Sequence, residues 1–196
     1  ASPQTGIIHK YHGRVLLIVT GGCAVHCRYC FRRNFPYGEQ RLSTQKIEQA
    51  LSYIEQRPEI SEVILSGGDP LLLNDAKLTH LLQQLTALPN IKRLRIHSRI
   101  PVVLPSRITP ALLDVFAASK LPIVLVLHAN HAHELSPEVA AACRALQQQG
   151  VMLLNQSVLL RQVNDDAEVL IALSEKLFTL GVLPYYLHQL DRARGV

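Results

Sequence analysis

What most limits the folds open to this chain is an alternation. Apolar runs of strand length and segments of helical period take turns along almost all of its 196 residues. "RVLLIVT" (14–20), "EVILS" (62–66), "IKRLRIHS" (91–98), "PIVLVLH" (122–128), "VMLLNQS" (151–157) and "VLPYYLHQL" (182–190) read as strands. Between them lie segments with helical spacing of apolar residues, such as Ile47, Ala50, Leu51 and Ile54, or Leu78, Leu81, Leu82 and Leu85. Thr109-Pro110 and Ser136-Pro137 are cap-and-proline helix starts, and Gly150 and Gly181 are stops. The reading is six strands and five helices in strict alternation. Strands apolar nearly throughout are buried on both faces, which predicts an α/β fold with a parallel sheet covered by helices. An open doubly wound sheet and a TIM-type barrel, whole or partial, both satisfy that pattern. No Gly-x-Gly-x-x-Gly follows the first strand, so the dinucleotide fingerprint is missing.

In parallel α/β folds the chemistry collects at the C-terminal ends of the strands, where the loops converge. Those ends carry "GGCAVHCRYCFRR" (21–33), "SGGDP" (66–70), "HSR" (97–99), His128 with Asn130 and His131, "NQS" (155–157), and His188 with Gln189 and Asp191. The turns at the other rim ("RPEIS", "LPNIK", "QQGV", "LGVLP") hold mostly Pro, Gly and isolated charges. The asymmetry marks the first rim as the active-site face.

Cys23, Cys27 and Cys30, three of the four cysteines, stand as Cys-x3-Cys-x2-Cys. Three thiolates on one short loop suit one face of a cuboidal iron–sulfur cluster, whose irons favour soft sulfur. A 4Fe–4S cluster with three protein ligands keeps one iron open, as catalytic zinc does with one ligand too few. The plainer reading is a zinc knuckle completed by His26, His128 or His131, although structural zinc sites usually pair their cysteines two by two. Cys143 shares a helix face with Val139, Ala142 and Leu146 and reads as a packed core thiol. Clustered cysteines suit a reducing cytoplasm, and no apolar run reaches the roughly 18 residues of a membrane span. The formal charge is +5, with basic residues scattered apart from Arg14, Arg28, Arg32 and Arg33. Tryptophan is absent and aromatics make up 5%, so the basic excess fits an anion-friendly pocket better than a nucleic-acid surface.

The cysteine spacing, with an aromatic just before the last cysteine, on the loop after the first strand of a parallel α/β barrel, resembles the radical S-adenosylmethionine enzymes. "YHGRVLLIVTGGCAVHCRYCFRR", "SGGDPLLL", "RLRIHSRIPVVLPSRIT", "LLNQSVLLRQVND" and "PYYLHQLD" together resemble the lysine 2,3-aminomutase family over nearly the whole chain. "CAVHCRYCFRR" and "YYLHQLD" look like its branch that makes (R)-β-lysine for modifying bacterial elongation factor P. Classical catabolic members tend to have Thr where Phe31 stands and Cys where Leu190 stands. The resemblance implies a partial TIM-type (β/α)6 barrel of the radical SAM type. Residues 14–196 would be its core domain, and 1–13 a segment entering the barrel and contributing to a phosphate site.

The same resemblance implies an isomerase acting on (S)-α-lysine, with three cofactors: a 4Fe–4S cluster on Cys23, Cys27 and Cys30, S-adenosylmethionine at the open iron, and pyridoxal phosphate. Ser66, Gly67, Gly68 and Asp69 would line the methionine end, the glycines by close backbone approach, Ser66 and Asp69 by meeting the cationic amine. His128 would be a cofactor-binding residue. Lys10, Tyr11 and Arg14 match positions that hold the pyridoxal phosphate group, and Gln156 a position in that cofactor's pocket. Many members have Arg where Lys10 stands; lysine keeps the charge and loses the fork. Arg32 matches a residue that pairs with the substrate carboxylate, and Asp191 one that meets its distant ammonium. The implied partners are lysine, a flavodoxin- or ferredoxin-type electron donor and, indirectly, elongation factor P and its ligase. No membrane partner is implied.

Arg192-Ala193 replaces a more usual apolar-Ser pair near the phosphate. In the family, the lysine that binds pyridoxal phosphate and a second carboxylate lie further along than residue 196, and an N-terminal extension precedes the match. The expectation is a fragment cut at both ends, which alone binds pyridoxal phosphate weakly or not at all. The rivals are a free amino-acid 2,3-aminomutase of the same family and a non-catalytic zinc- or nucleic-acid-binding protein.

Overall fold

A computed structural model describes residues 6–30 and 44–190 of the chain. Its sheet has seven strands in the order of the sequence: β1 (Ile7–Tyr11), β2 (Arg14–Thr20), β3 (Glu62–Gly67), β4 (Arg93–His97), β5 (Ile123–His128), β6 (Met152–Val158) and β7 (Leu183–His188). From β2 to β7 every pairing is parallel. The crossovers carry α1 (Thr44–Glu55), α2 (Asp75–Thr86), α3 (Ile100–Val103), α4 (Pro110–Ala117), α5 (Pro137–Gln148) and α6 (Ala167–Thr179). A doubly wound sheet reverses its strand order at a switch point. This one never does, so it winds as a barrel does, and β1 and β7 are its edges among the described residues.

The expected helix starts form as the cap chemistry requires. Thr109 and Ser136 accept from the backbone N–H of Leu112 and Val139, with proline in the first turn of each helix. Asn74 and Asp166 do the same for α2 and α6. The core lies between strands and helices. Val15 and Leu17 of β2, Val63 and Leu65 of β3, and Leu94 and Ile96 of β4 belong to one buried cluster with Ile54, Leu78, Leu112 and Leu146 of the helices. Strand alternation then puts Arg14, Ile18, Glu62, Ser66, Arg95, His97, His128 and Gln156 on the inner face.

Three features depart from the sequence reading. First, β1 is an additional strand. It pairs antiparallel with β2 through Tyr11↔Arg14 around a His12-Gly13 turn, with a register shift between Ile8 and Tyr11. The short "IIHKY" run, flanked by polar residues, gives little periodicity to detect. Second, the strands are not apolar on both faces. In β4 the inner positions are Arg93, Arg95 and His97, and β7, at an edge, leaves Leu183, Tyr186 and Leu187 half exposed. Third, α3 and the 3-10 turns Pro70–Leu72, Pro105–Arg107 and Ala132–Glu134 were not anticipated; they are single turns, too short for a periodic signal.

Candidate functional site

Where β2 ends, the chain turns into the cysteine loop, and the turn after β3 is laid directly on it. The N–H of Gly68 donates to the Thr20 carbonyl at 2.6 Å, and that of Asp69 to the Gly22 carbonyl at 2.7 Å. Glycine is required here by both space and conformation. Gly67 has φ +114°, and a Cβ on it would stand 2.7 Å from the Thr20 carbonyl oxygen; a Cβ on Gly68 would overlap the Gly22 backbone. The "SGG" of the sequence is thus a seam of main chain against main chain, which fixes the root of the loop bearing Cys23, Cys27 and Cys30.

Asp69 closes the seam from below. Its carboxylate accepts from Leu71 N (3.1 Å) and Ser98 Oγ (2.6 Å) on one oxygen, and from Arg99 N (2.8 Å) and Ile100 N (3.2 Å) on the other. A carboxylate has about four lone-pair sites, and four donors already use them. Burial pushes its pKa up against the pull of those donors. The sequence reading had Asp69 meeting a ligand amine; in the structure it instead ties the turn after β3 to the turn after β4.

The cysteine loop is braced from a second side by residues the sequence reading did not single out as site residues. Arg99, just after β4, donates through Nη1 to Cys27 Sγ at 2.9 Å and through Nη2 to Glu134 Oε2 at 2.7 Å. Burial works against the Arg99 charge, but Tyr29, Glu134 and Cys27 together hold its pKa above the usual arginine value. The Tyr29 hydroxyl accepts from Asn130 Nδ2 at 2.8 Å, and burial pushes its phenol up to about 12. Asn130 uses its remaining groups on the loops around it. Its N–H donates to Glu134 Oε1, its side-chain oxygen accepts from Val158 N, and its carbonyl accepts from Asn164 Nδ2. The loops after β4 and β5 therefore meet at Cys27 and Tyr29, and the end of β6 and the loop after it back them through Asn130. The only hint in sequence was that "HSR" and Asn130 lie at the strand ends.

The inner face has two tiers. Near the strand C-termini, His128 Nδ1 lies 3.3 Å from Gln156 Nε2, and the His97 ring stands edge-on to His128 at 5.9 Å. Tyr186 and His188 stack on β7 with ring centroids 4.5 Å apart. Lower down, Arg95 pairs with Glu62 at 2.7 Å and donates to the Tyr185 hydroxyl at 3.0 Å. Arg14 sits beside Glu62 in the register.

The expected site residues divide accordingly. Cys23, Cys27, Cys30, Ser66, Gly67, Gly68, His128 and Gln156 lie at the strand C-terminal rim. Lys10, Tyr11 and Arg14 gather elsewhere, at the β1–β2 hairpin. Lys10 Nζ is 5.5 Å and Arg14 Cζ 4.5 Å from the Tyr11 ring centre. Arg14 opens β2 and Thr20 closes it, so the hairpin is about 20 Å from the cysteine loop, at ~3.3 Å per residue. Arg32 and Asp191 lie outside the described residues.

The donor chemistry fits an iron–sulfur cluster. Three soft thiols, each half-buried, share one loop whose root is locked against the glycine turn. Among the described residues no three His, Cys, Asp or Glu side chains are gathered as they would be around one metal ion. In a cuboid each thiolate meets a separate iron and the sulfurs stand further apart than around one ion. Among the described residues no helix is long and apolar enough to cross a membrane.

Comparisons with known proteins agree with this geometry. The chain is 56% identical over 190 residues to L-lysine 2,3-aminomutase of Escherichia coli (strain K12), covering 97% of this chain and 56% of that protein. It is 50% identical over 195 residues to the Haemophilus influenzae L-lysine 2,3-aminomutase, covering 100% and 58%, and 42% identical over 196 residues to that of Clostridium subterminale, covering 100% and 47%. The chain thus spans about half the length of the curated relatives it matches. In fold it is similar to a radical SAM methyltransferase from Sphaerobacter thermophilus, with TM-score 0.64 and 20% identity over 97% of this chain and 60% of that one. It is likewise similar to anSMEcpe with bound AdoMet and a peptide, with TM-score 0.67 and 12% identity over 93% and 53%. The Radical SAM superfamily model matches residues 17–173, from β2 into α6, and on that match the chain belongs to the radical SAM superfamily.

Proposed function

We propose that this chain carries the core of a radical SAM lysine 2,3-aminomutase that turns (S)-α-lysine into (R)-β-lysine for attachment to elongation factor P in the cytoplasm. The observation that carries the reading is the three-cysteine loop locked by main-chain contact to the glycine turn, in a chain 56% identical to an L-lysine 2,3-aminomutase. The elongation factor P branch is supported by "CAVHCRYCFRR" and "YYLHQLD". When bound, the cluster and S-adenosylmethionine supply a carbon radical by one-electron cleavage, and pyridoxal phosphate supplies delocalisation while an amino group migrates.

The chain's own residues do the holding. Cys23, Cys27 and Cys30 ligate the cluster, leaving one iron for the nucleotide. Ser66, Gly67 and Gly68 present backbone and a hydroxyl to its methionine end, while Asp69 keeps that turn in place. His128 and Gln156 line the inner face next to one another. At the hairpin two cations converge on the Tyr11 ring, an arrangement that an anion such as a phosphate relieves. Arg32 receives the lysine carboxylate and Asp191 its side-chain ammonium. A flavodoxin- or ferredoxin-type protein supplies the electron. Residues 1–13 form the entering segment and 14–196 the radical core.

Anaerobic reconstitution of the full-length protein with iron and sulfide tests this. A brown protein whose visible charge-transfer band changes on adding S-adenosylmethionine, and which yields (R)-β-lysine from lysine, supports it. β-Lysine that accumulates free in cells, with elongation factor P unmodified, moves the reading to the free amino-acid mutase. Colourless, zinc-loaded protein that retards RNA overturns it.

A further inference from the structure

Arg99 is a cation clamped in place. Its side chain is 20% exposed. One end of the guanidinium donates to Cys27 Sγ, the other to Glu134, and the backbone N–H is held by Asp69. Glu134 is held in turn: its Oε1 accepts from the N–H groups of Asn130 and His131. The charge pair cannot drift from the sulfur without breaking the turns after β4 and β5. A fixed cation at a ligand sulfur favours the electron-rich state of a cluster, because reduction adds one negative charge that spreads onto the thiolates. The Glu134 carboxylate, on the far side of the guanidinium, subtracts part of that field.

We infer that Arg99 is a positioning residue that raises the reduction potential of the cluster through its hydrogen bond to Cys27, and that Glu134 is the counter-charge that trims the effect. The inference rests on Cys27 being a cluster ligand. In the reaction the electron goes from the donor protein to the cluster; Arg99 exchanges neither a proton nor an electron and sets only the equilibrium of that transfer.

The test is a redox titration of the anaerobically reconstituted full-length protein, without S-adenosylmethionine, following the reduced cluster by electron paramagnetic resonance. Arg99→Gln should disfavour reduction about tenfold, which is ~59 mV lower for a one-electron couple. Arg99→Lys keeps the charge without the fork and should fall between Arg99→Gln and the unsubstituted protein. Glu134→Gln keeps the oxygen that holds Asn130 and His131 but loses the charge, and should shift the potential upward. A role confined to holding the loop predicts that both substitutions move the potential in the same direction. Same-direction shifts, or no shift at equal iron and sulfide content, overturn the inference and leave the ligand assignment standing. If Arg99→Gln loads no cluster, Glu134→Gln decides alone, and no upward shift refutes the idea. Failure of the unsubstituted protein to load a cluster refutes the ligand assignment instead.

Discussion

Single atoms decide much at this site. A methyl group on Gly68 would occupy the space of the Gly22 backbone, and neither side of that contact is a flexible side chain. Gly68→Ala is expected to cost about 1–3 kcal/mol of stability and to displace the cysteine loop, so that reconstituted protein holds much less iron. A denaturant midpoint and an iron assay check the two effects separately. Asp69→Asn puts an amide NH2 where two of the four donors point, and a cost of about 1–3 kcal/mol follows from the donors left unmet. Ser98→Ala removes one of those donors and should cost less in the same denaturation series. Cys27→Ala removes a thiolate from the loop, and two thiolates do not hold a cuboid, so cluster and S-adenosylmethionine cleavage should disappear together; cleavage retained by that variant would contradict the assignment.

At the scale of elements, periodicity made most of the architecture legible. Six of the seven strands and the five longer helices fall where apolar spacing put them, since each such signal needs only a dozen neighbouring residues. The cysteine loop and the glycine turn were legible because unusual residues cluster in them. The braces were not. Arg99 meets Cys27 across 72 positions and Asn130 meets Tyr29 across 101, and nothing local in "HSR" or "HAN" says which loop they will touch. The inner tier was half legible: "RLRIH" alternates charged and apolar residues, the mark of a strand with one polar face, and it was read as uniformly buried. The saturated state of Asp69 was invisible, because all its partners except Leu71 come from another loop. Since the Asn130 side chain joins the cysteine loop to the end of β6, Asn130→Ala should loosen them together. The expected result is faster amide exchange in the cysteine loop and at the end of β6 as well as in its own turn, measured by hydrogen exchange.

For the whole molecule, one buried thiol gives a pH dependence. Cys143, fully buried in the core on α5, has its pKa pushed by burial from 9.0 up to about 11. A raised pKa means that the folded state holds the proton more tightly than the unfolded chain. The stabilisation is therefore complete below pH 9 and lost as the pH rises toward 11. Its size is on the order of 2 to 3 kcal/mol. Unfolding free energies measured across that range should fall, and less steeply in Cys143→Ala; at pH 8 the native thiol should resist alkylation until the protein unfolds.

The strand order carries a consequence for how the molecule is made. Each βα unit can dock as soon as it leaves the ribosome, since its sheet neighbour has just been synthesised. The three thiols emerge directly after the first parallel strand, but Asn130, which holds Tyr29 of their loop, is encoded 101 residues after that tyrosine. At typical translation speeds of about 5–20 residues per second, that is a window of roughly 5 to 20 seconds. During that interval the nascent loop is open to oxygen, stray zinc and delivery factors alike. Thiol labelling of stalled chains should be strong when synthesis halts before Asn130 and weak once β6 has formed.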